Sequence, residues 1–213
     1  MKRLFDLMVS LTGLTLLAAP FAVIALAIKV SSPGTVFYRQ KRIGLGGRPF
    51  WLYKFRSMRN SEGGAQVTVD GDPRITAIGR VLRLWKIDEL PQLYNILRGD
   101  MSVVGPRPEV ERFVQRYTAQ ERRVLEQIPG LAGLAQLVYP HEADLLRGCN
   151  DPEEAYGRYL LPRKLAVDLK YGAGRTFWSD MRLLGELALL VLGKSYRTDR
   201  DFRIPPYAET RTD

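Results

Sequence analysis

The sequence predicts an α/β chain in which a re-entrant membrane hairpin of helices precedes a domain of a small β-hairpin and helices at the membrane surface. Three observations predict this arrangement. Residues 7–28 form an uncharged apolar run. Residues 35–56 contain two stretches with the two-residue period of strands, and later segments have helical spacing of their apolar residues. We expect residues 1–30 to be the membrane element and residues 31–213 to form one structural unit with it.

Composition and charge exclude several classes of protein. The 213 residues are 46% hydrophobic and 26% charged, which is typical of a globular chain and not of a disordered one. A single cysteine, Cys149, and a single histidine, His141, exclude a disulfide framework and a cysteine- or histidine-rich zinc site. The net charge is +9, and no acidic residue occurs between Asp6 and Glu62. Such a basic stretch suits nucleic acid, a phosphorylated ligand or anionic lipid.

The apolar run allows three interpretations. A straight helix of its length, roughly 33 Å, would cross a bilayer core, so a spanning helix and a cleaved signal peptide are two of them. The third is a helix broken at Pro20 that enters and leaves the membrane on one face. Lys2 and Arg3 precede the run and Lys29 follows it. The positive-inside rule places basic flanks on the cytoplasmic side, which favours the re-entrant hairpin.

Residues 35–42 and 48–56 predict the two strands of a β-hairpin around a glycine-rich loop. In the second strand Leu52, Lys54 and Arg56 share one face. The two cations could therefore contact one anion, although a solvated basic strand face would have the same pattern. The glycine loop has neither the Rossmann nor the P-loop spacing, and no helical pattern follows it.

After a predicted helix over residues 75–85, the most informative stretch reads KIDELPQLYNILRGDMSVVGPRP. Its leucines recur at helical spacing. Because proline is tolerated only in a first turn, Pro91 indicates that this helix begins near Asp88 and ends at Gly99. Asp88 and Glu89 then lie at a helix N-terminus, where the dipole stabilises the carboxylate form. An acidic pair at such a position is most often an ordinary cap, so the pair alone does not decide a function.

Arg107 strengthens the functional interpretation of that pair. It lies between Pro106 and Pro108 in a stiff extended segment, and a guanidinium fixed in this way suits phosphate binding. Carboxylates beside fixed cations are the parts that phosphoryl transfer requires. One carboxylate can be a nucleophile, another can hold a divalent metal, and the cations neutralise phosphate oxygens.

The remainder is mostly helical in pattern. Short helices are predicted over residues 109–117 and 119–127, followed by a loop over residues 139–150. A longer helical region over residues 153–192 is interrupted near residues 172–174 by glycines. The tail after residue 194 is polar and contains proline.

The order of the motifs resembles the bacterial sugar transferase family, in its monotopic phosphoglycosyl transferase group. The resemblance is carried by the segments YRQKRIGLGGRPFWLYKFRSM, IDELPQLYNILRGDMSVVGPRPE and PGLAGLAQL, and by a late Lys-x-x-x-Asp formed by Lys164 and Asp168. It covers about residues 1–190.

This resemblance implies a reaction. Members of the group transfer a sugar-1-phosphate from a nucleotide diphosphate sugar, here expected to be a UDP-sugar, to polyprenol phosphate, and so initiate the assembly of a surface glycan. Asp88 matches the nucleophile that forms an aspartyl-phosphosugar intermediate, and Glu89 matches its dyad partner. Mg²⁺ is the implied cofactor, held by Asp88 and Glu89. With Arg56 from the strand face, the expected substrate- and phosphate-binding residues are Lys54, Arg56, Arg83, Arg107 and Asp168.

The resemblance also implies a location and partners. It implies a catalytic domain on the cytoplasmic face of a bacterial inner membrane, in contact with lipid and not with nucleic acid, and it leaves a homodimer open. Two alternatives remain, and the first is a degenerate member of the family that acts as a scaffold without catalysis. A non-catalytic, membrane-tethered basic module that binds lipid or nucleic acid would explain the charge, but not the combination of an Asp-Glu pair with Pro-Arg-Pro.

Overall fold

The computed structural model describes residues 1–59, 72–140, 142–146 and 148–193. In chain order the helices are α1 (Lys2–Leu16), α2 (Ala18–Ser31), α3 (Ala77–Leu84), α4 (Gln92–Arg98), α5 (Glu111–Val114), α6 (Leu134–Val138), α7 (Glu142–Leu145), α8 (Pro152–Ala155), α9 (Leu161–Ala173) and α10 (Phe177–Val191). The strands are β1 (Phe37–Ile43), β2 (Pro49–Phe55), β3 (Ser102–Val104) and β4 (Gly130–Ala132). His141 and the tail after residue 194 lie outside the described residues.

The apolar run forms two helices with a bend between them. In the described part of the chain no single helix has the length and apolarity to cross a bilayer, and α1 and α2 reach them only together, across a bend of 61°. The bend lies at Leu17 and not at Pro20, so the predicted break is three residues too late. Pro20 occupies the first turn of α2, where its missing N–H costs no intrahelical hydrogen bond.

The strands form two small sheets. β1 and β2 pair antiparallel, with Tyr38 opposite Lys54, which confirms the predicted hairpin. β3 and β4 pair in parallel over residues 102–104 and 130–132, a pairing that the sequence did not indicate. Mixed helices and small sheets are compatible with the predicted α/β class.

The predicted helices differ in how well they form. Thr76 caps α3 by accepting a hydrogen bond from the amide of Gly79, and α4 ends at Gly99 with φ 93°, as predicted. The two helices expected over residues 109–127 shrink to the single turn of α5 and a 3-10 turn at Glu121–Glu126. The region over residues 153–192 divides where predicted, between α9 and α10.

Three apolar clusters connect these elements. One gathers α5, α8 and α9 around Phe113 and Leu160. A second joins α4 and β3 to α10 and to partly buried residues of α1, with Ile96 at its centre. The smallest, formed by Ile28, Phe55 and Leu82, joins α2, β2 and α3. Burial of such side chains stabilises the fold by about 25 cal/mol per Å² of apolar surface.

The helix α1 is also fixed to the domain by polar groups. Arg3 donates hydrogen bonds to the last carbonyls of α4, at Ile96 and Leu97, over 2.6 and 2.9 Å. Asp6 is 3% exposed and accepts hydrogen bonds from the Ser102 hydroxyl and the Val103 amide of β3. The acidic and basic residues that begin the chain therefore bind protein groups near the candidate site.

Candidate active site

Three segments bring the charged residues of the predicted site together. Lys54 lies on β2, Glu89 lies in a 3-10 turn (Ile87–Glu89) that precedes α4, and Arg107 follows β3. The Lys54 ammonium donates to Glu89 Oε1 over 2.7 Å. Arg107 donates through Nη2 to the same oxygen over 2.7 Å and through Nη1 to Oε2 over 3.3 Å. Both oxygens of Glu89 thus accept hydrogen bonds from cations.

The sequence predicted that the acidic pair lies at the start of a regular α-helix. In the structure the pair lies before that helix. The 3-10 turn at Ile87–Glu89 is followed by Pro91, and α4 begins only at Gln92. Lys86, directly before the pair, adopts a left-handed conformation with φ 57°, which few non-glycine residues do. This local turn leaves Asp88 and Glu89 buried, at 5% and 8% exposure.

The two carboxyl groups have opposite pKa shifts. Burial raises the pKa of Asp88, against the opposing charge of Lys54. Burial acts in the same direction on Glu89, but the charges of Arg107 and Lys54 outweigh it and hold the pKa of Glu89 well below its usual value. The stabilising effect expected of a helix dipole therefore does not set the direction of the pKa shift of Asp88, because desolvation dominates at this position.

The cations are affected in turn. Burial lowers the pKa of Lys54 to about 8, although Glu89 opposes the shift. The charge of Glu89 raises the pKa of Arg107, so the guanidinium stays charged. Lys54 therefore loses its proton at about pH 8, whereas Arg107 keeps its positive charge.

The backbone around Arg107 is held by the parallel pair of strands. The amide of Gly105 donates to Ala132, and the amide of Gly130 donates to Pro106, each over 2.8 Å. Lys2 donates to the carbonyl of Val104 over 2.8 Å from α1. The Pro-Arg-Pro segment is thus anchored on both sides of its first proline, in agreement with the stiffness expected from its sequence.

Arg83 lies next to this site on the last turn of α3. Its Nη1 lies 3.7 Å from the sulfur of Met58, and its charge lowers the pKa of Asp88 in opposition to burial. Together with Lys54, Lys86 and Arg107 it surrounds two carboxyl groups with four cations. This excess of positive charge is what a diphosphate ligand requires.

Arg56 has a different place from the one predicted. Its guanidinium donates to the carbonyls of Pro33 and Ser32 over 2.5 and 2.8 Å and lies 3.5 Å from that of Ile28, so it caps the C-terminus of α2. It is 3% exposed. The expectation that Lys54 and Arg56 contact one anion is wrong. β2 ends at Phe55, and the Arg56 side chain binds the end of α2 instead.

Asp168 also lies apart from the carboxylate pair. It accepts a hydrogen bond from the amide of Ala135 at the start of α6, over 3.1 Å, and burial raises its pKa to about 7. One turn earlier, Lys164 donates to Glu142 over 2.6 Å and to the Tyr156 hydroxyl over 3.1 Å. The expected role of Asp168 in substrate binding stays a prediction.

Two further groups complete the site, and no sequence pattern indicated either of them. Asn95 is fully buried in α4 and its side chain binds the backbone of β2. Glu109 accepts hydrogen bonds from Tyr156 and Arg42 beyond the Pro-Arg-Pro segment. Both contacts join segments that are more than forty residues apart, so no local pattern could indicate them.

The residues present fit a magnesium ion only with help from a substrate. Within the described ranges no three histidine, cysteine or acidic residues lie close enough to hold a metal. Magnesium is often held by one or two carboxylates together with substrate phosphates and water, which the Asp88–Glu89 pair could provide. Glu89 is engaged by Lys54 and Arg107, whereas burial and nearby charges dominate the pKa of Asp88.

Comparison with known proteins shows the family to which this chain is similar. The model of the family described as bacterial sugar transferase matches residues 1–194. A UDP-glucose:undecaprenyl-phosphate glucose-1-phosphate transferase of Caulobacter vibrioides is 41% identical over 189 residues, which are 86% of this chain and 66% of the relative. The exopolysaccharide production protein PSS of Rhizobium leguminosarum is 40% identical over 198 residues, with 86% and 91% covered.

A third relative is considerably longer than this chain. It is a UDP-N-acetylgalactosamine-undecaprenyl-phosphate N-acetylgalactosaminephosphotransferase of Aeromonas hydrophila, 43% identical over 150 residues. The match covers 67% of this chain and about a third, 35%, of that relative. Since the family model extends over most of the sequence and includes the carboxylate pair and Pro-Arg-Pro, this chain belongs to the bacterial sugar transferase family.

Proposed function

We propose that this chain transfers a sugar-1-phosphate from a UDP-sugar to undecaprenyl phosphate. The observation that carries the proposal is a buried Asp88 that has no hydrogen-bonded donor among the described residues, beside a Glu89 that is held by Lys54 and Arg107. The similarity to three relatives supports it, because the names of two of them state the reaction and the third is named for exopolysaccharide production. These two names differ in the sugar, which is N-acetylgalactosamine in one relative and glucose in the other.

In the first step, Asp88 attacks the phosphorus that bears the sugar. A bond forms between a carboxylate oxygen and this phosphorus, and the bond to the oxygen of the nucleoside monophosphate breaks and leaves its electron pair there. An acyl phosphate carrying the sugar remains on the enzyme. In the second step an oxygen of undecaprenyl phosphate attacks the same phosphorus, and Asp88 is released as a carboxylate.

Burial of Asp88 serves this role in a definite way. A carboxylate that accepts few hydrogen bonds is poorly solvated and therefore more nucleophilic, while the nearby positive charges of Lys54 and Arg83 favour its ionised form. Glu89, in contrast, fixes the orientation of Lys54 and Arg107. We propose that these cations neutralise the diphosphate as negative charge moves to the leaving group.

Magnesium fits this scheme as a proposed cofactor. Asp88 and Glu89 would hold it together with the donor's phosphates, where it would act as a Lewis acid on their oxygens. The chain's own residues would still supply the nucleophile and the cationic surroundings of the phosphates.

We propose that α1 and α2 form the re-entrant anchor on the cytoplasmic face of a bacterial inner membrane. The 61° bend and the apolar composition support this topology, as do basic residues at both ends of the pair. An anchor of this kind places the site at the membrane surface, where the phosphate of a polyprenol carrier lies. The product would be the first lipid-linked intermediate of a surface glycan, as the name of the Rhizobium relative suggests.

The experiment is a donor half-reaction without acceptor. The purified chain is mixed with a panel of UDP-sugars and magnesium, and release of UMP is measured together with the intact mass of the protein. We expect about one UMP per enzyme and a sugar-phosphate adduct on Asp88. Asp88→Asn should abolish both, whereas Glu126→Gln, which changes an exposed carboxylate, should change neither.

Two other outcomes have distinct meanings. UMP release that requires acceptor and leaves no adduct would exclude the covalent intermediate but keep the overall reaction. No turnover with any donor, together with salt-sensitive lipid or nucleic-acid binding that survives Asp88→Asn, would instead support the non-catalytic basic module.

A further inference from the structure

We propose that Asn95 is a positioning residue that holds Lys54 opposite the carboxylate pair. This inference rests on the proposed function, because it concerns the geometry of the same site. Asn95 lies on α4, six residues after Glu89, and its side chain is 0% exposed. The hydrogen bonds described for its side chain go to Trp51, Tyr53 and Asp100, so its role in the reaction acts through the segments that it joins.

The side chain of Asn95 binds the backbone of β2 at two points. Its Oδ1 accepts a hydrogen bond from the amide of Tyr53 over 3.1 Å, and its Nδ2 donates to the carbonyl of Trp51 over 2.7 Å. Tyr53 directly precedes Lys54. A carboxamide presents the same donor and acceptor as a peptide group, so Asn95 serves as a one-residue strand partner on the edge of β2 that β1 leaves open.

The backbone of Asn95 fixes a third segment. Its carbonyl accepts hydrogen bonds from the amides of Gly99, Asp100 and Met101 over 3.1, 3.0 and 3.3 Å. These bonds close the turn from α4 into β3, the strand that leads to Arg107. One buried residue thereby joins the strand of Lys54, the helix that follows Glu89 and the turn toward Arg107.

This placement matters because the site depends on short distances. Lys54 and Arg107 each lie 2.7 Å from the same Glu89 oxygen. If β2 moves relative to α4, that double contact is lost, and a displacement of about 1 Å can cost a reaction on the order of 100-fold in rate. The burial of Asn95 and its three-way bonding are what a rigid support for such a contact requires.

The test compares Asn95→Leu and Asn95→Asp in the donor half-reaction. Asn95→Leu removes both bonds to β2 and the bond that Nδ2 donates to Asp100 Oδ2 over 3.3 Å. Asn95→Asp keeps the acceptor for the Tyr53 amide, loses the donor to Trp51 and places a second carboxylate beside Asp100. We expect the rate of UMP release per folded enzyme to fall by about tenfold or more, with the KM for donor changed by less than about threefold.

A control separates positioning from loss of stability. Phe113→Leu alters a core cluster that contains neither Lys54 nor Glu89, so it should lower the unfolding temperature without changing the rate per folded enzyme. A wild-type rate per folded enzyme in both Asn95 variants would overturn the inference. If Asn95→Leu does not fold, Asn95→Asp decides, with Asp100→Asn as the control for its contact with Asp100. A wild-type enzyme without UMP release would instead refute the proposed function.

Discussion

Replacing Arg56 by methionine should release the end of α2 from the domain. The guanidinium donates three hydrogen bonds within 3.1 Å, to the carbonyls of Pro33 and Ser32 and to the Ser32 hydroxyl. A cation at the C-terminus of α2 also interacts favourably with the helix dipole. Gly34, with φ +118°, leaves the space for it, since a Cβ there would lie 2.1 Å from Nη1.

The magnitude follows from the geometry of these bonds. A hydrogen bond to a charged group contributes about 1.5–3 kcal/mol, but taking a guanidinium out of water offsets part of the gain. Because Pro33 is exposed, water can replace its bond after the substitution, whereas the buried Ser32 would lose its partner. We therefore expect Arg56→Met to lower the free energy of unfolding by about 2–4 kcal/mol.

The assay is thermal unfolding of the protein in detergent micelles and in lipid nanodiscs. The expected loss corresponds to a decrease in Tm of roughly 5–15 °C for a chain of this size. Arg39→Met is the matched control, because Arg39 is exposed on the same hairpin and contacts only the ring of Trp51 among the contacts described for it, at 5.2 Å. If both variants lose the same stability, the contacts of Arg56 with α2 do not stabilise the fold.

Three further predictions concern charge and topology. Since the pKa of Lys54 is about 8, the rate of UMP release should fall as pH rises through that value, and Lys54→Arg should remove this fall if the ammonium charge is what the reaction needs. The pKa of Asp168 is raised from 3.8 to about 7, so its contribution to stability is present below pH 4 and is lost as pH rises through 7. Asp168→Asn keeps an oxygen for the Ala135 amide and should therefore reduce the difference in the free energy of unfolding between pH 5 and pH 8, by no more than about 1.4 kcal/mol per pH unit; an unchanged difference would contradict the raised pKa. In a Cys149→Ser background, a cysteine added ahead of the first residue and one at Thr35 should both resist an impermeant thiol reagent in intact cells, and labelling of the first alone would show a spanning anchor.

The parts of the fold that sequence could predict are those with local causes. The β-hairpin follows from alternating residues around glycines, and the end of α4 follows from Gly99. The bend of the anchor was misplaced because proline is as acceptable in a first turn as it is disruptive in a helix interior. Only the tertiary structure decides which of these positions Pro20 occupies.

The site shows the same limit. Lys54 and Arg107 were expected near Glu89, and the structure brings them together. Arg56 was misassigned because the period of a strand gives the face of a residue but not the residue at which the strand ends. The pKa of Asp88 was expected to be lowered by a helix terminus, and burial raises it instead. Burial of a carboxyl group depends on packing that no short motif encodes.

The contacts of α1 have a consequence for the order in which this chain matures. Asp6 reaches the Val103 amide across 97 positions, and Lys2 reaches Val104 across 102. A ribosome adds about 5–20 residues per second, so several seconds separate the synthesis of α1 from that of its partners. During this interval the carboxylate of Asp6 lacks both of its partners on β3 and must remain hydrated. Docking of α1 onto β3 and completion of the segment that carries Arg107 are therefore expected to be one concerted event that follows the synthesis of β3.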